Sequence, residues 1–155
     1  MKKWFLIFVI LMSFVCSLNA QDYKTGIGLR AGLPSGLTLK HFVNRNAAFE
    51  GLLTTRWQGF DITGLYEIQN RAFDVAQLSW YYGGGAHIGF YNGRYTYWGT
   101  YGTAYTVFGI DGIIGLEYTF SELPVNVGID FKPVFNLIGY TGVWSDGALS
   151  VRFVF

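Results

Sequence analysis

Apolar residues in this chain recur at every second position over long segments, and this spacing predicts strands with two different faces. The clearest segment runs from Leu78 to Tyr91. Its apolar face carries Leu78, Trp80, Tyr82, Gly84, Ala86, Ile88 and Phe90. Its opposite face is small or polar and carries Ser79, Tyr81, Gly83, Gly85, His87, Gly89 and Tyr91. The segments that begin at Phe108 and Val125 repeat the pattern, whereas helical spacing is absent.

These segments are longer than the roughly 5–6 residues that are usual for strands of soluble proteins. They match the roughly 9–11 residues of a tilted strand that crosses a membrane. An apolar face toward lipid and a small or polar face toward the interior predict a membrane β-barrel. The alternative is a soluble sandwich with its apolar faces buried between two sheets. Such a fold would place many Gly and Tyr residues in water, which disfavours it.

The composition agrees with the barrel. Half of the residues are apolar (51%) and only 14% are charged, against about 25% in ordinary soluble domains. The formal net charge is +1. A surface that binds nucleic acid needs an excess of clustered Lys and Arg, so we expect no nucleic-acid partner.

The first residues have the organisation of a secretory signal peptide. Lys2 and Lys3 precede an apolar stretch from Trp4 to Val15, and small or polar residues follow up to Ala20. We therefore expect residues 1–20 to be a cleaved signal peptide and residues 21–155 to form one outer-membrane barrel domain. A retained membrane anchor is disfavoured because the apolar run is shorter than about 20 residues. Acylation at Cys16 as a lipoprotein is also disfavoured, because Val15 stands where a small residue is expected.

Eight strands are predicted between the turn signals. Their ranges are 24–33, 37–43, 48–57, 60–69, 78–91, 107–120, 125–140 and 148–155. Residues 34–36 are predicted as a tight turn and residues 141–147 as a connection. An even strand number with short turns predicts an all-β, eight-stranded antiparallel up-and-down transmembrane β-barrel of the bacterial outer membrane. The register of the second strand stays open, because His41 and Phe42 compete for the outer face.

The last predicted strand alternates and ends on an aromatic residue. Val151, Phe153 and Phe155 on its apolar face resemble the C-terminal insertion signal of bacterial outer-membrane barrels. The chain from residue 22 to 155 resembles the small eight-stranded OmpA/OmpX-type barrels. More narrowly, it resembles an uncharacterised bacterial outer-membrane barrel set that carries the stretches 80–83, 108–112 and 135–139. This resemblance implies contact with outer-membrane lipid and recognition of the C-terminal strand by the barrel-assembly machinery, but no activity.

Charged residues of both signs fall on the predicted inner face. Five are positive and six are negative: Arg30, Lys40, Arg56, Lys132, Arg152, Glu50, Asp61, Glu67, Asp111, Glu117 and Asp130. Charges confined to a narrow interior must pair and form hydrogen bonds to offset their desolvation. An eight-stranded barrel encloses only enough space for side chains or one small ligand. We therefore expect a polar, largely plugged lumen, with a small-solute pore as an alternative.

The sequence offers little for catalysis. Gly26 to Ala31 matches a loose dinucleotide-binding pattern, but no helix follows it. His41 and His87 lie on different predicted strands, so a metal site is not expected. A lipid-modifying hydrolase or transferase with His87 as a base beside Ser79 or Glu117 is the enzymatic alternative. No nucleophile stands out, so we expect no catalysis and no cofactor.

Aromatic residues cluster in the segment 92–106, which strand parity assigns to the cell exterior. They are Tyr95, Tyr97, Trp98, Tyr101 and Tyr105. Tyr and Trp provide large contact areas at low entropic cost, so this segment is a candidate surface for a partner. Alternatively, these residues belong to the aromatic girdle at the membrane interface. The sequence as a whole predicts a structural or surface-interaction protein of the outer membrane.

Overall fold

The computed structural model describes residues 23–56, 58–92, 104–139 and 141–155. Eight strands follow one another: β1 (Thr25–Gly32), β2 (Ser35–Phe42), β3 (Ala47–Arg56), β4 (Gly59–Arg71), β5 (Leu78–Asn92), β6 (Ala104–Thr119), β7 (Val125–Ile138) and β8 (Gly142–Val154). Each strand pairs antiparallel with the next, and β1 also pairs with β8. The sheet is thus a closed up-and-down barrel, which confirms the predicted all-β class, strand number and topology. Among the described residues, no helix is long and apolar enough to cross a membrane.

The two ends of the barrel differ in what they carry. Lys24, Phe155 and the turns at residues 43–46, 72–77 and 120–124 lie at one end, which we call the termini end. The turn at residues 33–34 lies at the opposite end, which we call the far end, together with Gly139 after β7 and Thr141 before β8. The predicted signal peptide lies outside the described residues.

Closure of the sheet turns the alternation along each strand into an outer and an inner surface. Leu29 lies between Leu37 on β2 and Val151 on β8, and all three side chains are exposed on the outside. The next residue, Arg30, lies between Gly36 and Ser150 and is buried in the interior. Since β1 and β8 pair, neither is left as an open edge.

Several strand ends differ from the prediction. β2 begins at Ser35, so residues 34–36 are not all turn. β6 begins at Ala104 instead of residue 107, and β8 begins at Gly142 instead of residue 148. The predicted connection at residues 141–147 was therefore wrong over most of its length. The early start of β8 results from pairing with β7, where Gly142 lies opposite Asn136. Backbone pairing with a neighbour extends a strand through polar residues that have little strand preference of their own.

The open register of β2 is decided by its neighbours. Lys40 is buried in the lumen, whereas His41 is exposed outside and its Nδ1 lies 2.8 Å from Thr25 Oγ1. Phe42 is half-buried, with its ring in edge contact with that of Tyr23 at the termini end.

Two interior glycines make room for rings. A Cβ atom on Gly115 would lie 2.5 Å from Tyr81 Cζ and 2.7 Å from the Ile129 backbone oxygen, and one on Gly109 would lie 2.6 Å from His87 Cε1 and 2.3 Å from the Phe135 backbone oxygen. The distances to the two rings are far shorter than the ~3.5–4.0 Å of an optimal carbon–carbon contact. The absence of side chains at these positions therefore lets Tyr81 and His87 point into the lumen.

Candidate functional site

The interior of the barrel contains most of the charged residues that the structure describes. Ten of the eleven charged residues predicted for the lumen are buried: Arg30, Lys40, Glu50, Asp61, Glu67, Asp111, Glu117, Asp130, Lys132 and Arg152. The eleventh, Arg56, ends β3 at the far end, and about a quarter of its side chain (26%) is exposed. The structure distributes these residues over two clusters and one separate ion pair.

Five of them form the termini-end cluster: Lys40, Glu50, Glu67, Glu117 and Arg152. Lys40 Nζ lies 2.9 Å from Glu67 Oε2 and 3.1 Å from Glu117 Oε2. Arg152 forms an ion pair with Glu50 and a longer one, at 3.8 Å, with Glu117. None of these side chains is exposed to solvent. Pairing therefore has to compensate for the loss of hydration of all five groups.

Tyr23 and Gln69 cover this cluster at the termini end. The Tyr23 hydroxyl donates to Glu117 Oε1 at 2.8 Å, and Gln69 Nε2 donates to the same oxygen at 2.7 Å. Burial, and after it the negative charge of Glu117, holds the pKa of the Tyr23 phenol well above its ordinary value. The phenol thus stays protonated and remains a donor to Glu117.

Arg152 is held by neutral groups as well as by carboxylates. Its Nε donates to Thr38 Oγ1 at 3.1 Å, and its Nη1 donates to Asn126 Oδ1 at 3.2 Å. The Thr38 hydroxyl in turn donates to Glu50. Arg152 is therefore fixed by partners on β2, β3 and β7, and it links walls of the barrel that are not adjacent in the sheet.

Charge counting in the termini-end cluster shows an imbalance. Three carboxyl groups face two cations, and a buried unit of net negative charge is costly. Beyond its ion pair with Lys40, neither carboxyl oxygen of Glu67 has a hydrogen-bond partner among the described residues, whereas Glu50 accepts from Thr38 and Arg152. Glu67 has Lys40 as its ion-pair partner, whereas Glu117 has Lys40 and Arg152. Glu67 is thus the carboxylate with the fewest partners, and we expect it to be the group that takes up a proton to offset the excess negative charge.

Between the clusters, the lumen is filled by apolar side chains and one ion pair. The buried apolar residues that contact one another are Leu52, Leu65, Tyr81 and Ile113. Arg30 Nη1 lies 2.7 Å from Asp130 Oδ2, and neither side chain is exposed. Lys40 Nζ lies 4.0 Å from the centroid of the Tyr81 ring, a cation–π distance that joins this layer to the termini-end cluster.

The second cluster, which we call the far-end cluster, is a row of charged side chains that extends from His87 to Arg56. His87 Nδ1 lies 3.0 Å from Asp111 Oδ2, and Lys132 Nζ lies 3.5 Å from Asp111 Oδ1. Asp146 then lies between Lys132 and Arg56, at 3.5 Å from each. Alternating signs along this row neutralise one another inside the lumen.

His87 and Asp61 have further partners at this end. His87 Nε2 lies 2.9 Å from Asn136 Oδ1. The Tyr91 hydroxyl lies 2.5 and 2.6 Å from the two oxygens of Asp61. Ser79 is eight residues from His87 along β5, and it pairs with Glu117 toward the termini end. The arrangement of His87 beside Ser79 or Glu117, which the enzymatic alternative needs, is therefore absent.

The free space in the lumen is small at the far end. The recess there, lined by Arg56, Asp61, His87, Tyr91 and Lys132 among others, has room for about one water molecule. Within the described residues, no group of three or more His, Cys, Asp or Glu side chains could hold a metal ion. Chemically, the described lumen is a packed network of paired charges.

Sequence reasoning missed two members of this network. Asp146 was assigned to a connection, but it lies on β8 and is buried. Extending the alternation of Arg152 and Ser150 backwards would have placed it inside. Tyr23 was assigned to no site, and no pattern in the sequence indicates that it covers Glu117.

The remaining predicted site residues lie elsewhere. Tyr95, Tyr97, Trp98 and Tyr101 lie outside the described residues. Tyr105 belongs to β6 and not to a loop, and its ring centroid lies 5.8 Å from that of Tyr91. The proposed insertion-signal residues Val151, Phe153 and Phe155 are exposed on the outer face.

No protein-family model, curated protein or solved structure matches the chain. The structure therefore shows a closed eight-stranded barrel but assigns the chain to no family. The resemblance to OmpA/OmpX-type barrels remains a prediction.

Proposed function

We propose that this chain is an integral barrel of the bacterial outer membrane with a closed lumen, and that its role is structural or surface-interacting. One observation carries the proposal. The barrel exposes its large apolar side chains on the outside and buries its paired charges inside. Soluble proteins rarely expose contiguous apolar patches larger than a few hundred Å², whereas a lipid-facing surface requires them.

The middle of the outer surface is mainly aliphatic. Exposed residues of this band are Ile27, Leu29, Leu37, Leu39, Leu53, Ile62, Ile110, Ile114, Leu116, Ile129, Leu149 and Val151. They come from seven of the eight strands, so the band surrounds most of the barrel. The remaining strand, β5, contributes the small residue Ala86 at the position opposite Ile110. A band of this kind suits the hydrocarbon core of a membrane.

Aromatic residues flank this band on both sides. Toward the termini end the exposed aromatic residues are Phe49, Tyr66, Phe73, Trp80, Tyr82, Tyr118, Phe120, Phe153 and Phe155, and one exposed aromatic residue, Phe131, lies within the band opposite Ile114. Toward the far end they are Phe60, Phe90, Phe108 and Phe135. Trp80 and Phe90 are ten residues apart on β5, or about 33 Å along the strand. At the tilt of about 40–45° of membrane strands, this corresponds to about 25 Å of membrane depth, the height of a typical apolar band.

The packing of the lumen supports a role without transport. Ion pairs and the layer of Leu52, Leu65, Tyr81 and Ile113 occupy the path through the barrel. The partners of His87 are Asp111 and Asn136, which gives no support to the lipid-modifying alternative. A surface-interaction role rests on the predicted aromatic segment 92–106.

Two measurements test the proposal. Protein refolded in detergent and inserted into lipid vesicles should migrate faster on unheated than on heated gels and should resist protease over the barrel. Planar-bilayer recordings should show no steady openings. A chain that stays monodisperse in buffer without detergent would contradict the membrane assignment. Reproducible openings would contradict the closed lumen. A change in lipid A acyl chains upon deletion of the gene would contradict a role without catalysis.

A further inference from the structure

The termini end of the barrel opens into a cavity of about 740 Å³, which we call the vestibule. The turn between β2 and β3, the last residues of β4 and the first residues of β5 form its walls, together with Tyr23 and Lys24. Its size contrasts with the recess at the far end, which has room for about one water molecule. The vestibule is large enough for a small polar ligand.

Three cations line the vestibule: Lys24, Arg45 and Arg71. The other five described Lys and Arg residues, Arg30, Lys40, Arg56, Lys132 and Arg152, all form ion pairs in the lumen. No carboxylate of the described residues pairs with the three vestibule cations. Asp74 and Glu122 belong to turns at the same end, but neither is among the residues that line the vestibule. Within the part of the chain that the structure describes, the barrel thus pairs its buried cations with carboxylates and leaves the three vestibule cations without a carboxylate partner.

Neutral hydrogen-bonding groups surround these cations. Asn44, Asn46 and Gln69 are among the lining residues. Asn44 Oδ1 accepts hydrogen bonds from the backbone N–H groups of Asn46 and Ala47, at 2.9 and 2.8 Å, which fixes the turn that carries Arg45. Asn46 Nδ2 donates to the backbone oxygen of Gln69 at 3.1 Å and ties this turn to the end of β4. The vestibule wall is therefore held in place without a ligand.

The floor of the vestibule separates it from the charges below. The Tyr23 hydroxyl and the Gln69 amide both donate to Glu117, so they shield this carboxylate from the cavity. Gln69 Oε1 is buried and has no hydrogen-bond partner. An anion in the vestibule would consequently meet cations on the walls and neutral groups on the floor.

We propose that the vestibule binds a phosphate-bearing group through Lys24, Arg45 and Arg71. Guanidinium groups match the geometry of phosphate oxygens, and a nearby ammonium group adds charge. Such a group has two sources: the headgroup of an anionic phospholipid at the membrane surface, or a soluble phosphorylated molecule. The site requires the closed barrel but not its insertion into a membrane.

The test uses the full barrel refolded in a zwitterionic detergent. Inorganic phosphate and pyrophosphate are titrated by calorimetry, and native mass spectrometry compares retention of phosphatidylglycerol with that of phosphatidylcholine. The variant K24Q/R45Q/R71Q removes the three charges, whereas K24R/R45K/R71K keeps them. A third variant, D74N/E122Q, removes the two carboxylates outside the vestibule. Gel mobility and thermal unfolding verify that every variant is folded.

Saturable binding of phosphate or pyrophosphate at one site would assign a soluble ligand. Selective retention of phosphatidylglycerol alone would assign a lipid headgroup. In either case we expect about tenfold or greater weakening in the Gln variant, a smaller weakening in K24R/R45K/R71K, which keeps the charges but not the guanidinium geometry, and little change in D74N/E122Q. Absence of both kinds of binding, or equal binding by the Gln variant, would overturn the proposal. The soluble probes work in detergent, so this failure is distinct from failure of membrane insertion.

Discussion

Arg152 on β8 forms an ion pair with Glu50 on β3, and neither side chain is exposed to solvent. The two strands are not neighbours, since β1 and β2 lie between them in the sheet. The pair therefore connects different parts of the barrel wall through the lumen. The stability of the closed barrel should depend on such pairs, because each holds together strands that share no backbone hydrogen bonds.

We expect R152M to lower the free energy of unfolding by about 3–5 kcal/mol, because it leaves buried Glu50 without its cation. Urea titration of the vesicle-inserted barrel, followed by gel mobility, measures this loss. The double variant E50Q/R152M should lose less than the sum of the two single variants. Strict additivity would show that the two groups do not interact.

The carboxyl groups of the termini-end cluster should respond differently to neutralisation. We expect E67Q to change the free energy of unfolding by less than about 1 kcal/mol, because Glu67 is the carboxyl expected to carry a proton. We expect E117Q to cost about 2 kcal/mol or more, because Glu117 accepts from Tyr23 and Gln69 and pairs with Lys40. The same urea titration compares them. Equal losses would contradict the assignment of the proton to Glu67.

Replacing a glycine by alanine should destabilise the barrel more in the interior than on the outer face. A Cβ atom at Gly115 would clash with the Tyr81 ring, whereas a Cβ atom at Gly64 on the outer face has no atom within 4 Å. We expect G115A to destabilise the barrel by about 1–3 kcal/mol and G64A to leave it unchanged or slightly more stable. Thermal unfolding in detergent measures both. A tolerated G115A would mean that the Tyr81 ring and the Ile129 backbone can both shift at little cost.

The loss of stability caused by a charged residue introduced on the outer surface distinguishes a lipid-facing barrel from a soluble one. We expect I114R, between Phe108 and Tyr118 on β6 and so near the middle of the aliphatic band, to lower the stability in vesicles by about 2–4 kcal/mol. The matched variant L33R, in an exposed turn at the far end, should cost at most about 1 kcal/mol. Urea titration in vesicles measures both losses. If the two variants were equally stable, Ile114 would not face lipid.

Much of the fold could be predicted from local features. Alternation placed Leu29 outside and Arg30 inside, and turn signals separated eight strands. The alternation of apolar and polar residues did not locate the start of β8, because Gly142 is in a strand only through pairing with Asn136 on β7. It left His41 and Phe42 undecided, because both are compatible with an exposed position at a strand end.

Outside the register of β2 and the start of β8, the sequence by itself determined which side of the barrel each strand residue faces, since opposite orientation of successive side chains is a property of any extended chain. Only the tertiary structure decided which residues meet inside. Lys40 contacts Glu117 although 77 residues separate them, and Tyr23 covers the same carboxylate from before the first strand. Such contacts depend on strand stagger and on closure of β8 onto β1, which set distances across the lumen. No spacing along the chain contains that information.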